Sequence, residues 1–292
     1  MPAAVGMATV REALGAAVDG LAAAGVDDPR LDAELLLGRA MGCGRAALAA
    51  QPAMEVPAPA ARAFGEMVRR RLRREPVAYV LGSKGFRNIE LAVDRRVLIP
   101  RPETELLVEV ALERRPARML EVGTGSGAIA LAVADELSEC EVVATDTSPG
   151  ALEVARANAS RLGLADRVEF REGSIPDGEP FDLVLANLPY VAERDWPGLE
   201  PEVTQWEPRS ALLAGPDGLG AYRTLFSPRG CLLAVMSGQR ATSAVAVEVG
   251  EGQASAVAEL ARAAGFGRTE GRRDLAGIER VVVAERAAEG EG

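Results

Sequence analysis

The chain contains no histidine. That absence removes Ser-His-Asp and Cys-His catalysis, imidazole general bases and every metal site that needs a histidine ligand. Cysteine is scarce. Cys43, Cys140 and Cys231 lie far apart, are odd in number and never take a Cys-x-x-Cys spacing. They read as reduced thiols of a cytoplasmic protein and offer no ligand set, so no metal is expected. No apolar run approaches the length of a membrane span, and the opening residues lack a basic segment followed by an apolar one. Neither a membrane anchor nor an export leader is expected. Excess positive charge is missing too: 33 Lys and Arg stand against 43 Asp and Glu, a net charge of −10. A field of that sign opposes tight binding to bare nucleic acid and suits a protein or small-molecule substrate.

What is present is material for a core. With 292 residues, 48% of them hydrophobic, one large domain and one small one are expected. Residues 8–75 show helical periodicity alone. Val10, Leu14, Ala17, Val18 and Leu21 share a face, and Gly25 closes that helix; Asp28 caps a second, with Leu31, Leu35 and Leu36 as its stripe and Gly42 as its end. A third helix near 60–74 pairs Phe64, Met67, Val68 and Leu72 with Arg62, Arg69, Arg70, Arg71, Arg73 and Arg74. These arginines form a solvated face or a docking patch for an acidic or RNA-bearing partner. Between 76 and 100 the pattern turns strand-like, at Val77–Gly82, Ile89–Val93 and Val97–Ile99, which reads as a β-hairpin linker. Pro100-Arg101-Pro102-Glu103-Thr104-Glu105 then leads into a helix, either as a rigid connection or as a cofactor-pocket wall carrying Arg101 and Glu103.

From residue 117 strands and helices alternate, with strands near 117–122, 141–145, 167–171 and 181–186 and helices near 127–137 and 149–162. Such alternation builds a parallel sheet covered on both faces, with ligands beyond the carboxyl ends of the strands. Gly123-Thr124-Gly125-Ser126-Gly127 follows the first strand and opens a helix. Glycines there let the backbone approach a ligand, and the helix offers free N–H groups. Asp146 ends the second strand, where an acid can grip ribose hydroxyls. Alone, this loop fits a dinucleotide or S-adenosylmethionine equally, since Gly123-x-Gly125-x-x-Ala128 also satisfies the relaxed dinucleotide fingerprint.

Asn187-Leu188-Pro189-Tyr190, at the end of a later strand, breaks the tie. The Asn187 side-chain oxygen and the Leu188 carbonyl can each accept an N–H of an amide or exocyclic amine, and Tyr190 offers a ring face. An amide nitrogen is a poor nucleophile, so holding both N–H groups and aiming the lone pair is the catalysis required. Hydride transfer has no use for such a motif. Ser174-Ile175 also falls at a strand end, with Ile175 placed either to pack on an adenine face or to serve as a plain core residue.

On these residues the chain resembles the protein-(glutamine-N5) methyltransferases that modify peptide-chain release factors. The resemblance begins at Asp32-Ala33-Glu34-Leu35-Leu36-Leu37 and runs through Arg74–Gly82, Leu98–Glu105, Glu202-Val203, Glu207-Pro208, Asp217-Gly218-Leu219, Tyr222-Arg223 and Glu248–Gln253. It implies an α/β fold, a doubly wound and mostly parallel seven-stranded sheet of the class I methyltransferase, Rossmann-like type, with a small N-terminal helical bundle joined by a β-hairpin. The implied division is 1–75 for substrate recognition, 76–100 for the linker, 101–286 for catalysis and 287–292 as a tail. Gly123–Gly127, Asp146 and Ile175 would hold S-adenosylmethionine, with Asn187 touching it, and Asn187–Tyr190 would hold the glutamine of a release factor's Gly-Gly-Gln loop. The expected enzyme is a cytoplasmic monomer that forms no stable complex with nucleic acid.

Two features depart from the family. Its tetrapeptide is usually Asn-Pro-Pro-Tyr, and Leu188 here keeps the backbone acceptor while losing proline's fixed φ; preceding Pro189, it stays biased toward an extended conformation. The segment between Tyr222 and Glu248 is longer than the family pattern and carries two apolar runs, Cys231–Met236 and Ala244–Val249; the resemblance of Glu248-Val249-Gly250 to the family pattern places the expected strand at 244–249. Three alternatives stay open at this level. The first is an adenine-N6 methyltransferase, because a flipped base presents the same donors and stacking face. The second is a glutamine methyltransferase acting on a ribosomal protein, and the third is a fold that binds without catalysing.

Overall fold

Apolar residues placed consecutively suit strands buried on both faces, and four such runs form the centre of a parallel sheet. In the computed structural model, which describes residues 8–176, 179–227 and 244–286, two compact units emerge. One comprises residues up to 82 together with 200–206, and the other comprises 83–199 with the chain from 207 onward.

The larger unit opens with a hairpin, β1 (Ser83–Phe86) and β2 (Ile89–Ala92), paired antiparallel with Phe86 opposite Ile89. A seven-stranded sheet follows, built of β3 (Arg118–Val122), β4 (Glu141–Asp146), β5 (Val168–Glu172), β6 (Leu183–Ala186), β7 (Ala244–Glu248), β8 (Arg268–Arg273) and β9 (Glu279–Glu285). Its order is β5-β4-β3-β6-β7-β9-β8; β9 is antiparallel to both neighbours and the other pairings are parallel. The doubly wound, mostly parallel architecture expected from the alternation is therefore present. Successive residues face opposite ways. Met119, Val142, Leu183 and Ala246 join one buried cluster, while Leu120, Val143, Val184 and Val245 join the other. Helices cover both faces: α6 (Glu105–Arg114), α7 (Ala128–Glu136) and α8 (Pro149–Leu162) contribute to the first cluster, α10 (Gly220–Leu225) and α11 (Ala254–Ala263) to the second. The strand choice at 244–249 holds, as β7. The competing run Cys231–Met236 and the tail 287–292 lie outside the described residues.

The expected strand at Val77–Gly82 is a helix instead, α5 (Val77–Leu81). A short apolar run carries no periodicity that separates the two, and its punctuation decides: Pro76 precedes the first turn and Gly82 ends it at φ 74°. Val97–Ile99 is also not a strand; among the described residues no sheet includes it. The hairpin exists, shifted to begin at Ser83, and the helical unit extends to Gly82 rather than stopping at 75.

That unit contains α1 (Val10–Ala23), α2 (Pro29–Met41), α3 (Arg45–Ala50), α4 (Ala58–Leu72), α5 and α9 (Pro201–Trp206). Val10, Ala17 and Leu21 are buried as the periodicity requires, but α2 buries Ala33, Leu36 and Leu37 in place of the expected Leu31-Leu35-Leu36 stripe. Segment 200–206 joins it through ion pairs. Arg71 donates to Asp32 at 2.7 Å and to Glu202 at 2.6 Å, and Arg74 donates to Glu202 at 2.6 Å and to Glu200 at 2.8 Å. Burial raises the Asp32 carboxyl pKa even beside Arg71. The arginine run is thus not one surface: Arg71 and Arg74 are internal ties, Arg70 chelates Glu75, and Arg62 and Arg73 remain exposed. Asp28 does cap α2, accepting the Leu31 amide. Asp28→Ala should lower stability by about 1 kcal/mol, read as a shifted urea midpoint at unchanged slope.

Candidate active site

The strand order reverses direction between β3 and β6, and that switch point is where open α/β sheets bind ligands. Register sets the site level. Val122 lies opposite Thr145 on one side and Ala186 on the other, so the next residues, Gly123, Asp146 and Asn187, emerge side by side at the strand ends. A cavity of about 450 Å³ opens there, lined among others by Gly123, Thr124, Gly125, Ser126, Asp146, Ser174, Asn187, Leu188 and Pro189.

The glycine loop is held by backbone geometry. Gly123, Gly125 and Gly127 take φ of 79°, 56° and 85°, left-handed values that side-chain-bearing residues rarely adopt. The Gly123 and Thr124 amides both donate to the Thr145 carbonyl at 2.9 Å. A Cβ on Gly127 would also come within 2.8 Å of Leu131, which accounts for the glycine where loop meets helix. Gly127 itself is not a lining residue. Asp146 accepts from the Gly125 amide at 2.9 Å through one oxygen and from the Ser148 amide at 2.8 Å through the other. A carboxylate has about four acceptor positions, so it retains capacity for a ligand diol while bracing the loop.

Ile175 and Tyr190 stand differently. Both are partly buried against the second core cluster, and neither is among the lining residues, whereas Ser174 is. Burial pushes the Tyr190 phenol up to about 12, so at neutral pH it is a proton-bearing ring and not a base. The Tyr190 carbonyl accepts from Gln253 Nε2 at 2.9 Å, and Gln253 Oε1 accepts the Gly250 amide at 3.0 Å. A Cβ at Gly250 would meet Tyr190 Cδ2 at 3.1 Å, which ties the Glu248–Gln253 motif to the tetrapeptide. Gln253→Ala should free the Tyr190 end and cost about tenfold in kcat/KM by misplacing the acceptors; steady-state kinetics at saturating cofactor would read it.

The proline-rich approach to α6 does form a wall, through Pro100 and Thr104. Arg101 and Glu103 are not lining residues: Arg101 pairs with Glu207, whose carboxylate also accepts the Ile99 amide at 3.1 Å.

Sequence reasoning passed over three residues. Glu121 is 1% exposed, accepts from the Thr124 hydroxyl at 2.7 Å and from the Ala130 amide at 2.9 Å, and so caps α7 from inside the sheet. Burial pushes its carboxyl up to about 8. Asn158 is fully buried on α8, bridging Ala92 in the hairpin (2.7 and 3.0 Å) and the Ser126 carbonyl (2.9 Å). Thr104 joins Asn187 to Glu248. The available signal was a polar residue interrupting an apolar strand or helix face, since buried polar groups are retained where they bond.

The sheet order, the glycine loop on the switch point and the acid at the second strand tip define a class I methyltransferase. A methyltransferase domain model matches residues 114–227, and the PrmC N-terminal domain model matches residues 12–82. A solved methyltransferase from Pyrococcus furiosus shares the fold at a TM-score of 0.51 and 16% identity, over 70% of this chain and 92% of that one. A release factor glutamine methyltransferase of Moorella thermoacetica is 43% identical over 96% of this chain and 100% of its own. One from Caulobacter vibrioides is 41% identical over 94% of this chain and 96% of its own. The chain belongs to the release factor glutamine methyltransferase family.

Proposed function

We propose that this enzyme transfers a methyl group from S-adenosylmethionine to the side-chain amide nitrogen, N5, of the glutamine in the Gly-Gly-Gln loop of a peptide-chain release factor. The observation that carries the reading is the placement of Asn187-Leu188-Pro189 on the same cavity as the glycine loop and Asp146. The names of the full-length relatives point the same way.

The residues present fit the cofactor. A loop with three left-handed glycines, a carboxylate with spare acceptor capacity at the β4 tip and apolar Val97, Leu98 and Ile129 on the cavity suit a nucleoside joined to an amino-acid tail. Gly123, Thr124, Gly125, Ser126 and Asp146 would hold it. When bound, it supplies an electrophilic methyl group on a sulfonium.

The chain's own task is to make a planar amide nitrogen nucleophilic in the required direction. Asn187 Oδ1 and the Leu188 carbonyl each accept one N–H, which fixes the amide plane and leaves the lone pair directed at the cofactor side. None of this requires a strong base, since the nitrogen loses its proton to solvent or a nearby acceptor after the methyl group has been transferred, consistent with a chain that has no histidine and with a tyrosine kept protonated. The helical unit serves as the docking element for the release factor, in the cytoplasm, with the enzyme acting as a monomer. No helix among the described residues is long and apolar enough to cross a membrane.

Incubation with methyl-labelled S-adenosylmethionine and a purified release factor should place the label on the Gly-Gly-Gln glutamine, located by mass spectrometry. Label that persists when that glutamine is changed to alanine, or that goes to RNA instead, would sink the reading.

A further inference from the structure

Behind the tetrapeptide lies a buried relay that the reaction, as described, does not use. Ala186 lies opposite Val247, so Asn187 and Glu248 leave adjacent parallel strands at the same level. Thr104, at the end of the turn that opens α6, stands between them. Asn187 Nδ2 donates to Thr104 Oγ1 at 3.0 Å, and Thr104 Oγ1 donates to Glu248 Oε2 at 2.6 Å. Thr104 and Glu248 are 3% and 2% exposed, while Asn187 and Thr104 both border the cavity.

A threonine hydroxyl has a single proton. Given to Glu248 Oε2, whose carboxyl burial pushes up to about 7 and which accepts in its ionised form, it leaves Oγ1 with nothing to offer Asn187 except a lone pair. The asparagine group facing Thr104 must then be the NH2, and the group left for the substrate must be the oxygen. This matters because a carboxamide is nearly symmetric in shape. Rotated by half a turn, Asn187 would present donors to a substrate amide that also has donors to place, and the contact would turn repulsive.

We infer that Thr104 and Glu248 are positioning residues that fix the Asn187 carboxamide with its oxygen toward the substrate amide. The inference rests on the glutamine-methylation reading for its catalytic consequence but not for the orientation itself. Glu248 enters as a hydrogen-bond acceptor, and neither residue touches the reacting atoms. A purely structural role would end at satisfying a buried carboxylate. The positioning role adds that the effect passes through Asn187.

Two measurements on the full-length enzyme decide it. The first is orientation: the Asn187 side-chain NH2 resonances, assigned by their loss in Asn187→Ala, should move in Thr104→Val, which keeps the shape and removes the acceptor. They should stay in place in Thr104→Ser, which keeps the hydroxyl. Unchanged resonances in Thr104→Val would overturn the inference whatever the substrate proves to be. The second is rate. Thr104→Val and Glu248→Gln should each lower kcat by about tenfold or more by loosening the acceptor, with S-adenosylmethionine affinity by calorimetry held within about twofold, and Thr104→Ser should restore the rate. The Thr104→Val/Asn187→Ala pair should be no slower than Asn187→Ala alone, since residues acting through one contact are not additive. A multiplied loss in the pair, or no rescue by serine, would assign Thr104 to general stability and refute the positioning role. A wild-type enzyme that leaves release factors unlabelled would instead sink the functional reading, while the resonances would still decide the orientation.

Discussion

Asn187→Ala is expected to lower kcat for methyl transfer by about 10²-fold or more, while the dissociation constant for S-adenosylmethionine changes several-fold at most. Of the two acceptors proposed for the glutamine amide, Leu188 offers a backbone carbonyl that no side-chain change removes. Asn187 offers the one that can be deleted. The variant therefore keeps a single anchor, about which the amide can swing, and its lone pair no longer points one way. An acceptor aimed at the reacting group acts mainly through orientation, so the loss should fall on kcat more than on KM. The fold should survive, because Asn187 lies beyond β6 and its side chain reaches only as far as the Thr104 hydroxyl at the cavity wall. Single-turnover kinetics with labelled cofactor, paired with calorimetry, separates the two effects. A variant with unchanged turnover would mean that the transferred group binds elsewhere.

The centre of the sheet was legible in the sequence because β3, β4 and β6 are largely apolar runs ended by special residues: glycine after Val122, an acid after Thr145, asparagine after Ala186; β8, polar along its length, was expected only through the strand count that the resemblance implies. The convergence of Gly123, Asp146, Ser174 and Asn187 followed from the rule that ligands sit beyond parallel strand ends. Less legible was anything decided by packing between distant segments. Val77–Leu81 has a strand's composition, yet Pro76 and Gly82 bracket one helical turn. Arg71 and Arg74 read as surface charge, and Glu202, more than a hundred residues later, makes them internal. Ile175 and Tyr190 were placed by strand position alone, which does not say whether a side chain turns to the cavity or to the core cluster behind it. Glu121, Asn158 and Thr104 were given no role for a related reason. Each owes its place to a hydrogen-bond partner on another element, which local patterns do not encode.

Asp146→Ala should act on the opposite side of the reaction, weakening S-adenosylmethionine binding by about 10²-fold, the effect of losing charge-assisted hydrogen bonds, with a smaller change in kcat at saturation. Its two oxygens already accept the Gly125 and Ser148 amides, so the substitution removes the proposed ribose acceptor and also unties the glycine loop from β4. Asp146→Asn separates these roles. One amide oxygen can still accept the Gly125 N–H, but the NH2 that replaces the second oxygen meets the Ser148 N–H as donor against donor, and the charge is lost. Asparagine should therefore recover part of the affinity and alanine none. Calorimetric titration of both variants with S-adenosylmethionine, followed by kcat at saturating cofactor, reads the two quantities independently. Were alanine to bind the cofactor as the wild type does, the β4 tip would have to be a structural tie alone, and the ribose would need a different acceptor.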